Sequence, residues 1–172
     1  MTSSERSGVP QNQGALRGRR LAVASLVTLM LASTLSGCGT SAPKPTRLQG
    51  NIVAAVGLNP SVNDRPSPLL LRVYELRSPT AFNQADFMSL YQSDQATLAG
   101  DLVVREEMML QPGETRPFNK QLSPETRFIG VIAVYRNLER ATWRAVVPVA
   151  LNKTQQLTVR AESLALSATM GP

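Results

Sequence analysis

Short runs of alternating apolar residues recur along this chain from Leu48 onward, separated by clusters of Gly, Pro, Asn and Asp. Alternation with a period of two places every second side chain on one face, which is typical of a half-buried β-strand. Eight such runs with turn residues at regular spacing predict an all-β fold, an antiparallel β-sandwich. Consecutive parallel strands would each need a crossover connection, and the pattern shows only one helical segment.

The helical segment lies between the second and third strands, at residues 82–92. Asn83 is a candidate N-cap, and Asp86 lies three positions later, where it can bond back to the N–H of Asn83. Phe82 and Phe87 then occupy the two positions of a hydrophobic staple. The sequence therefore predicts one short inserted helix that covers a face or an end of the sandwich.

Two strands have predictable places in their sheets. Residues 69–77 are apolar on both faces near their start, which indicates a central strand covered on both sides. Residues 115–122 contain Pro117, which cannot donate to a strand ladder, so this strand is predicted at a sheet edge. The preceding Gln111-Pro112-Gly113-Glu114 fits a type II turn.

A long loop at residues 57–67 joins the first two predicted strands, and long loops are more often functional than short ones. Pro60, Pro66 and Pro68 stiffen it, which lowers the cost of ordering it on binding. We predict that it binds a partner through apolar and polar groups, with a solvated turn as the plainer interpretation of its two charges. The candidate contact residues are Leu58, Asn59, Pro60, Val62, Asp64, Arg65 and Pro66.

A predicted export signal precedes the strand-forming part of the chain, which we call the body. Three arginines (Arg17, Arg19 and Arg20) lead into the apolar run 21–35, and small residues follow up to the only cysteine, Cys38. The run of about 15 residues is shorter than the roughly 20 that a membrane-spanning helix needs. A plain cleaved signal would leave a lone free thiol, which is uncommon in exported proteins. The motif Leu35-Ser36-Gly37-Cys38 instead resembles the lipobox of bacterial lipoproteins, which implies lipid attachment to Cys38.

The predicted organisation has three parts. Residues 1–37 form the signal peptide, 38–47 an acylated cysteine and flexible tether, and 48–168 one β-sandwich domain, whose size is near the commonest for a domain. Gly39 follows the cysteine, where lipoproteins retained in the inner membrane usually carry aspartate. By resemblance to lipoprotein sorting rules, this favours the outer membrane.

Composition excludes several classes of function. The chain has no histidine, which removes Ser-His and Cys-His catalysis and most zinc sites. Removing residues 1–37 leaves 14 basic and 11 acidic residues, a net charge of +3. These charges are scattered, so nucleic acid is a poor candidate partner. We predict a protein that is not an enzyme, with no metal, no cofactor apart from lipid on Cys38, and no small-molecule substrate.

The mature sequence resembles the outer-membrane lipoproteins of bacterial type VI secretion systems, the TssJ (SciN/VasD-like) family. The resemblance covers nearly all of the body and depends on the order and spacing of its motifs behind the lipobox. In chain order these motifs are Asn59-Pro60, Arg65-Pro66-Ser67-Pro68, Arg72-Val73-Tyr74-Glu75-Leu76-Arg77, Ala85-Asp86-Phe87, Leu90-Tyr91, Asp101-Leu102, Pro112-Gly113-Glu114, and the run from Ile129-Gly130 through Tyr135-Arg136 to Trp143-Arg144.

The resemblance implies a transthyretin-like β-sandwich anchored in the inner leaflet of the outer membrane and facing the periplasm. It implies binding to the C-terminal periplasmic domain of TssM, and through TssM an indirect association with TssL. In that family the loop between the first two strands contacts TssM, which here is residues 57–67. An envelope lipoprotein that binds a glycan or peptidoglycan is the alternative, although the few aromatic residues lie mostly in apolar patterns.

Overall fold

The computed structural model of this protein describes residues 43–171. The predicted signal peptide and residues 38–42 of the predicted tether, including Cys38, lie outside the described residues, and these interpretations stay predictions. Among residues 43–171, no helix is both long and apolar enough to cross a membrane.

The described residues form a sandwich of two four-stranded sheets, which confirms the predicted fold. The strand order is β4-β1-β7-β8 in one sheet and β3-β2-β5-β6 in the other. Two α-helices and a 3₁₀ turn connect β2 to β3. The elements in chain order are β1 (Arg47–Ala54), β2 (Leu69–Leu76), α1 (Thr80–Gln84), α2 (Phe87–Leu98), the 3₁₀ turn (Ala99–Asp101), β3 (Leu102–Leu110), β4 (Thr115–Gln121), β5 (Phe128–Val134), β6 (Arg144–Pro148), β7 (Thr154–Ala161) and β8 (Leu166–Gly171).

The positions predicted for two strands are confirmed. β2 lies between β3 and β5, and β4, which contains Pro117, lies at the edge of its sheet. The inward face of β2 joins the core between the sheets, whereas Tyr74 and Leu76 pack under the helices with Phe82 and Leu90. β2 is therefore covered on both faces, as the apolar residues at its start predict.

One strand pair differs from the antiparallel prediction. β1 and β7 run parallel, with Arg47 opposite Thr154 and Ala54 opposite Ala161. The other pairs within the two sheets are antiparallel. Parallel neighbours need a long connection, and here the other sheet and the helices supply it, because about 100 residues separate β1 from β7.

The helical segment also differs from its prediction. Two helices replace the single one, and Asp86, not Asn83, caps the second. The Asp86 carboxylate accepts from the Ser89 backbone N–H at 2.9 Å and from its hydroxyl at 2.7 Å. Asp86 is extended, with φ −75° and ψ 167°, which breaks the helix between the phenylalanines assigned to a staple. Phe82 is instead fully buried.

A charged cluster closes the side of the sandwich where the edge strands β3 and β4 meet. Lys120 Nζ of β4 lies 2.7 Å from Glu75 Oε1 and 2.5 Å from Glu106 Oε1. Glu75 is 2% exposed, and its Oε2 accepts from the Thr126 hydroxyl at 2.5 Å and the Ser123 N–H at 3.0 Å. Its Oε1 makes no hydrogen bond of good geometry within residues 43–171, so Lys120 supplies its compensating charge.

Candidate partner-binding site

The loop at residues 55–68 connects β1 to β2 and is built on a buried apolar residue. Leu58 is fully buried and belongs to the core between the sheets. Its backbone N–H donates to Ala55 O at 3.2 Å, and its carbonyl accepts from the Ser67 N–H at 2.9 Å. Burying a leucine side chain contributes about 2 kcal/mol, so Leu58 holds both branches of the loop against the sandwich.

Asn59 joins this loop to two others. Its side-chain Nδ2 donates to Pro68 O at 2.8 Å, and its Oδ1 accepts from the Arg136 backbone N–H at 2.9 Å. Its own backbone N–H donates to Ser163 O at 3.1 Å. The residue has φ 46°, a left-handed conformation that asparagine tolerates better than most residues. Asn59 is therefore a structural connection at the centre of this end of the molecule.

The loop tip is closed by its own hydrogen bonds. The Ser61 N–H donates to Arg65 O at 2.9 Å, and the Asp64 N–H donates to Ser61 O at 3.0 Å. The Ser61 hydroxyl accepts from the backbone N–H groups of Asn63 and Arg65 at 3.4 and 3.3 Å. The tip is therefore an ordered turn, and Asp64 makes this turn with φ 56°.

The predicted contact residues divide into a buried and an exposed group. Leu58 and Asn59 are 0% and 3% exposed, so the structure does not support their prediction as surface contacts and assigns them to holding the loop. Val62 is 100% exposed at the tip. Pro60 is half-buried, and the other exposed members are Asp64, Arg65 and Pro66.

A second loop lies beside the first and was not predicted to join it. Residues 60–62 and residues 136–139 together line an open groove of about 670 Å³. The groove combines the apolar side chains of Val62 and Leu138 with the charges of Arg136 and Glu139. The two segments are more than 70 residues apart, and no pattern in either one indicates that the other is its neighbour.

The base of the second loop is held by Tyr135. Its side chain is 2% exposed, and its hydroxyl donates to Glu162 O at 3.1 Å. Burial and the nearby charge of Glu162 raise the pKa of Tyr135, so the phenol stays a neutral donor at physiological pH. Three loops, at residues 55–68, 135–143 and 162–165, are thus joined by hydrogen bonds. We call this end of the sandwich the loop end.

Several acidic and aromatic side chains of residues 43–171 make contacts within the fold. No group of three or more acidic or cysteine side chains is placed to hold a metal within residues 43–171. The neighbouring Glu106 and Glu107 point to opposite faces of β3, where they pair with Lys120 and Arg72 respectively. Trp143 packs edge-on against Phe87, with ring centroids 5.2 Å apart. The described residues thus form a two-sheet sandwich whose loop end is an ordered, exposed surface.

The particular family follows from comparison with known proteins. A family model described as type VI secretion lipoprotein, VasD, EvfM, TssJ, VC_A0113 matches residues 46–164. The chain therefore belongs to the type VI secretion lipoprotein family, which is a family of structural lipoproteins and not of enzymes. Comparison with curated protein sequences gives no match.

Solved structures agree with this assignment. The lipoprotein TssJ1 from Pseudomonas aeruginosa is 42% identical, with a TM-score of 0.72 over 74% of this chain and 98% of that one. Lip from Serratia marcescens, a membrane-bound component of its type VI secretion system, is 28% identical, with a TM-score of 0.66 over 72% and 96%. A chain of a type VI membrane complex is 25% identical, with a TM-score of 0.61 over 75% and 100%.

Proposed function

We propose that this protein is the outer-membrane-anchored periplasmic lipoprotein of a type VI secretion membrane complex. It binds the C-terminal periplasmic domain of TssM, and through TssM it is linked indirectly to TssL. Family membership and the similarity to a chain of a type VI membrane complex support a role in such an assembly. The partner itself is inferred from the family resemblance of the loop at 57–67.

The observation that carries the proposal is a fully exposed Val62 on a loop that is held rigidly from below. Asn59 and Leu58 fix the two branches of the loop, and Ser61 closes its tip. Binding to a preformed surface loses less conformational entropy than binding to a mobile one. Fully burying an exposed valine side chain against a partner contributes about 2 kcal/mol.

The groove beside Val62 adds a second contact to the same proposal. We infer that residues 136–139 form the other wall of the TssM-binding surface, because they line one groove with residues 60–62. Arg136 and Glu139 line this groove together with the apolar Val62 and Leu138, and polar groups of this kind are typical of the rims of protein interfaces. Asn59 then keeps both walls at a fixed spacing.

Lipid on Cys38 supplies the fixed point that this role requires. Each buried acyl CH₂ contributes about 0.8 kcal/mol, and one chain anchors only marginally, so stable attachment needs more than one chain. β1 begins at Arg47, on the side of the tether, and ends at Ala54, where the 55–68 loop starts. The anchor and the binding loop are therefore attached to opposite ends of the same strand.

Two experiments separate the anchor from the binding surface. Cys38→Ser is expected to remove the protein from outer-membrane fractions and to abolish secretion. A pull-down of the body with the TssM periplasmic domain is expected to succeed, and to fail when residues 60–66 are replaced by a short glycine linker. If the variant with the glycine linker still binds TssM with full affinity, the loop is not the binding surface. If the intact protein does not bind the TssM domain, TssM is not the partner.

A further inference from the structure

The end of the sandwich opposite the loop end is basic. It comprises residues 43–47, 122–127 and 149–154, and we call it the base. Lys44, Arg47 and Lys153 are exposed there. Within residues 43–171, none of these three side chains forms a salt bridge. Glu125 is the acidic residue of these three segments, and it is paired with Arg77.

The base also presents apolar surface beside these charges. An open groove of about 400 Å³ is lined mainly by apolar side chains, among them Pro43, Pro45 and Leu122. Leu151, at the rim of this groove, is one of the few large apolar residues that are exposed. A neighbouring groove of about 490 Å³ is lined by Lys44, Arg47 and Lys153.

Hydrogen bonds hold these elements in one arrangement. The Arg47 N–H donates to Lys153 O at 2.9 Å, and the Asn152 N–H donates to the Thr46 hydroxyl at 2.9 Å. The carbonyl of Thr46 accepts from the Leu122 N–H at 2.9 Å. Thr46, which is buried, therefore connects the start of the body to both base loops and fixes where the basic side chains lie.

We propose that the base is a docking surface for the anionic phospholipid headgroups of the membrane that carries the anchor. The proposal rests on the lipid attachment of Cys38 proposed above. Residues 39–42 separate Cys38 from Pro43, and five residue steps span at most about 18 Å. The base is thus kept within reach of the headgroups, where its cations meet lipid phosphates and Leu151 enters the interfacial region.

Docking would set the orientation of the whole body. β1 has eight residues and spans about 26 Å from the base to the loop end. With the base on the headgroups, Val62 faces away from the membrane, toward a partner that crosses the periplasm. The mixed charges of the loop end, among them Asp64, Glu139 and Arg140, do not favour an anionic surface in the same way.

The test uses the mature acylated protein reconstituted in vesicles. Because the Cys38 sulfur carries lipid, Ala150→Cys in the base and Asn63→Cys at the loop end each provide a single thiol for a fluorescent label. The vesicles are phosphatidylcholine alone or with about 30% phosphatidylglycerol, and both contain a lipid with a nitroxide quencher on its headgroup. Quenching of the label then reports contact between that end of the body and the headgroups.

We expect strong quenching at position 150 only in the anionic vesicles, and little at position 63 in either. Lys44→Gln with Lys153→Gln is expected to lower the docking constant about 25-fold, because each basic residue near an anionic surface contributes about fivefold. Arg140→Gln with Arg160→Gln removes the same charge from exposed positions outside the base and is the matched control.

Several outcomes overturn the proposal. They are equal quenching at position 150 in both kinds of vesicle, quenching at 63 as strong as at 150, or the same loss of docking in the control as in the Lys44 and Lys153 variant. If the acylated protein stays in the vesicles but its label at position 150 is not quenched, the docking surface is wrong and the lipid anchor is unaffected. A mass spectrum that shows no lipid on Cys38 would reject the proposed anchor. It would also reject the docking surface, because docking depends on that anchor.

Discussion

The side-chain oxygen of Asn59 accepts a hydrogen bond from the backbone N–H of Arg136 at 2.9 Å, across 77 residues of sequence. This contact joins the loop that carries Val62 to the loop that forms the opposite wall of the groove. Asn59 is 3% exposed, so the contact is shielded from water. The spacing of the proposed binding surface therefore depends on a residue that does not reach the surface.

Asn59→Ala is expected to weaken binding to the TssM domain and to destabilise the fold by about 2 kcal/mol. The variant leaves the Arg136 N–H and the Pro68 carbonyl without their partner, and it places alanine in a left-handed conformation. Calorimetric titration and urea unfolding measure the two effects. Asn63→Ala, at an exposed position of the same loop, should change neither, and an Asn59→Ala protein with normal affinity would show that the connection is not needed.

Val62→Asp is expected to reduce affinity for the TssM domain at least tenfold, because it places a charge where an apolar anchor enters a pocket. Since Val62 is 100% exposed, stability should stay within about 0.5 kcal/mol of wild type. Val56 is 78% exposed and lies outside the groove, so Val56→Asp is the matched control. Equal losses of affinity in the two variants would indicate a general effect of charge and not a contact at Val62.

Glu75→Gln is expected to destabilise the protein by about 3 kcal/mol at neutral pH, because it removes the buried carboxylate that lies 2.7 Å from the partly buried Lys120 ammonium. Burial alone would raise the pKa of Glu75, but the nearby Lys120 ammonium and hydrogen bonds from Thr126 and Ser123 outweigh it and hold the pKa below its ordinary value. A lowered pKa contributes stability at neutral pH that is lost as the pH falls through the folded-state pKa.

Urea unfolding of wild type and Glu75→Gln across this pH range checks that sign. The difference between the two proteins should be largest near neutral pH and should shrink as the solution is acidified below the ordinary glutamate pKa of 4.5. Glu107→Gln, which removes a partly exposed partner of Arg72, should have an effect under about 1 kcal/mol. A difference that grew on acidification would contradict the account of Glu75.

Gly50→Ala is expected to prevent stable folding or to cost more than about 3 kcal/mol. Gly50 has φ 139°, and a Cβ there would lie 1.9 Å from the carbonyl oxygen of Leu157 on the parallel neighbour β7. Gly100→Ala is the control, because a Cβ at that position meets nothing within 4 Å. Thermal unfolding of both variants measures the two effects on stability. A stable Gly50→Ala protein would show that β1 and β7 can separate to admit a methyl group.

The features that the sequence predicted are those that depend on local patterns. Alternation of apolar residues located the strands, apolar residues on both faces placed β2 at the centre of its sheet, and Pro117 placed β4 at an edge. The direction of β7 relative to β1 has no local signal, because a distant partner decides it. The break between α1 and α2 lies at Ala85 and Asp86, which are both extended, and the sequence offered Asn83 as a cap as well as Asp86.

The binding site was predicted in outline, since proline and turn residues reveal a long, stiff loop. Which of its residues face inward was not predictable, because Leu58 and Val62 are both isolated apolar residues in the sequence. One fills the core and the other is fully exposed. The groove wall at residues 136–139 required the three-dimensional structure, since its proximity to the loop comes from the order of strands in the sheets.

Photo-crosslinking in cells identifies the molecule that contacts each end of the protein. A photoreactive amino acid replaces Val62 at the loop end in one strain and Leu151 at the base in another, so that each reports which molecule lies against it. We expect a crosslink from position 62 to TssM and none to TssM from position 151. Absence of a TssM adduct from position 62, or an equal yield from position 151, would contradict this expectation.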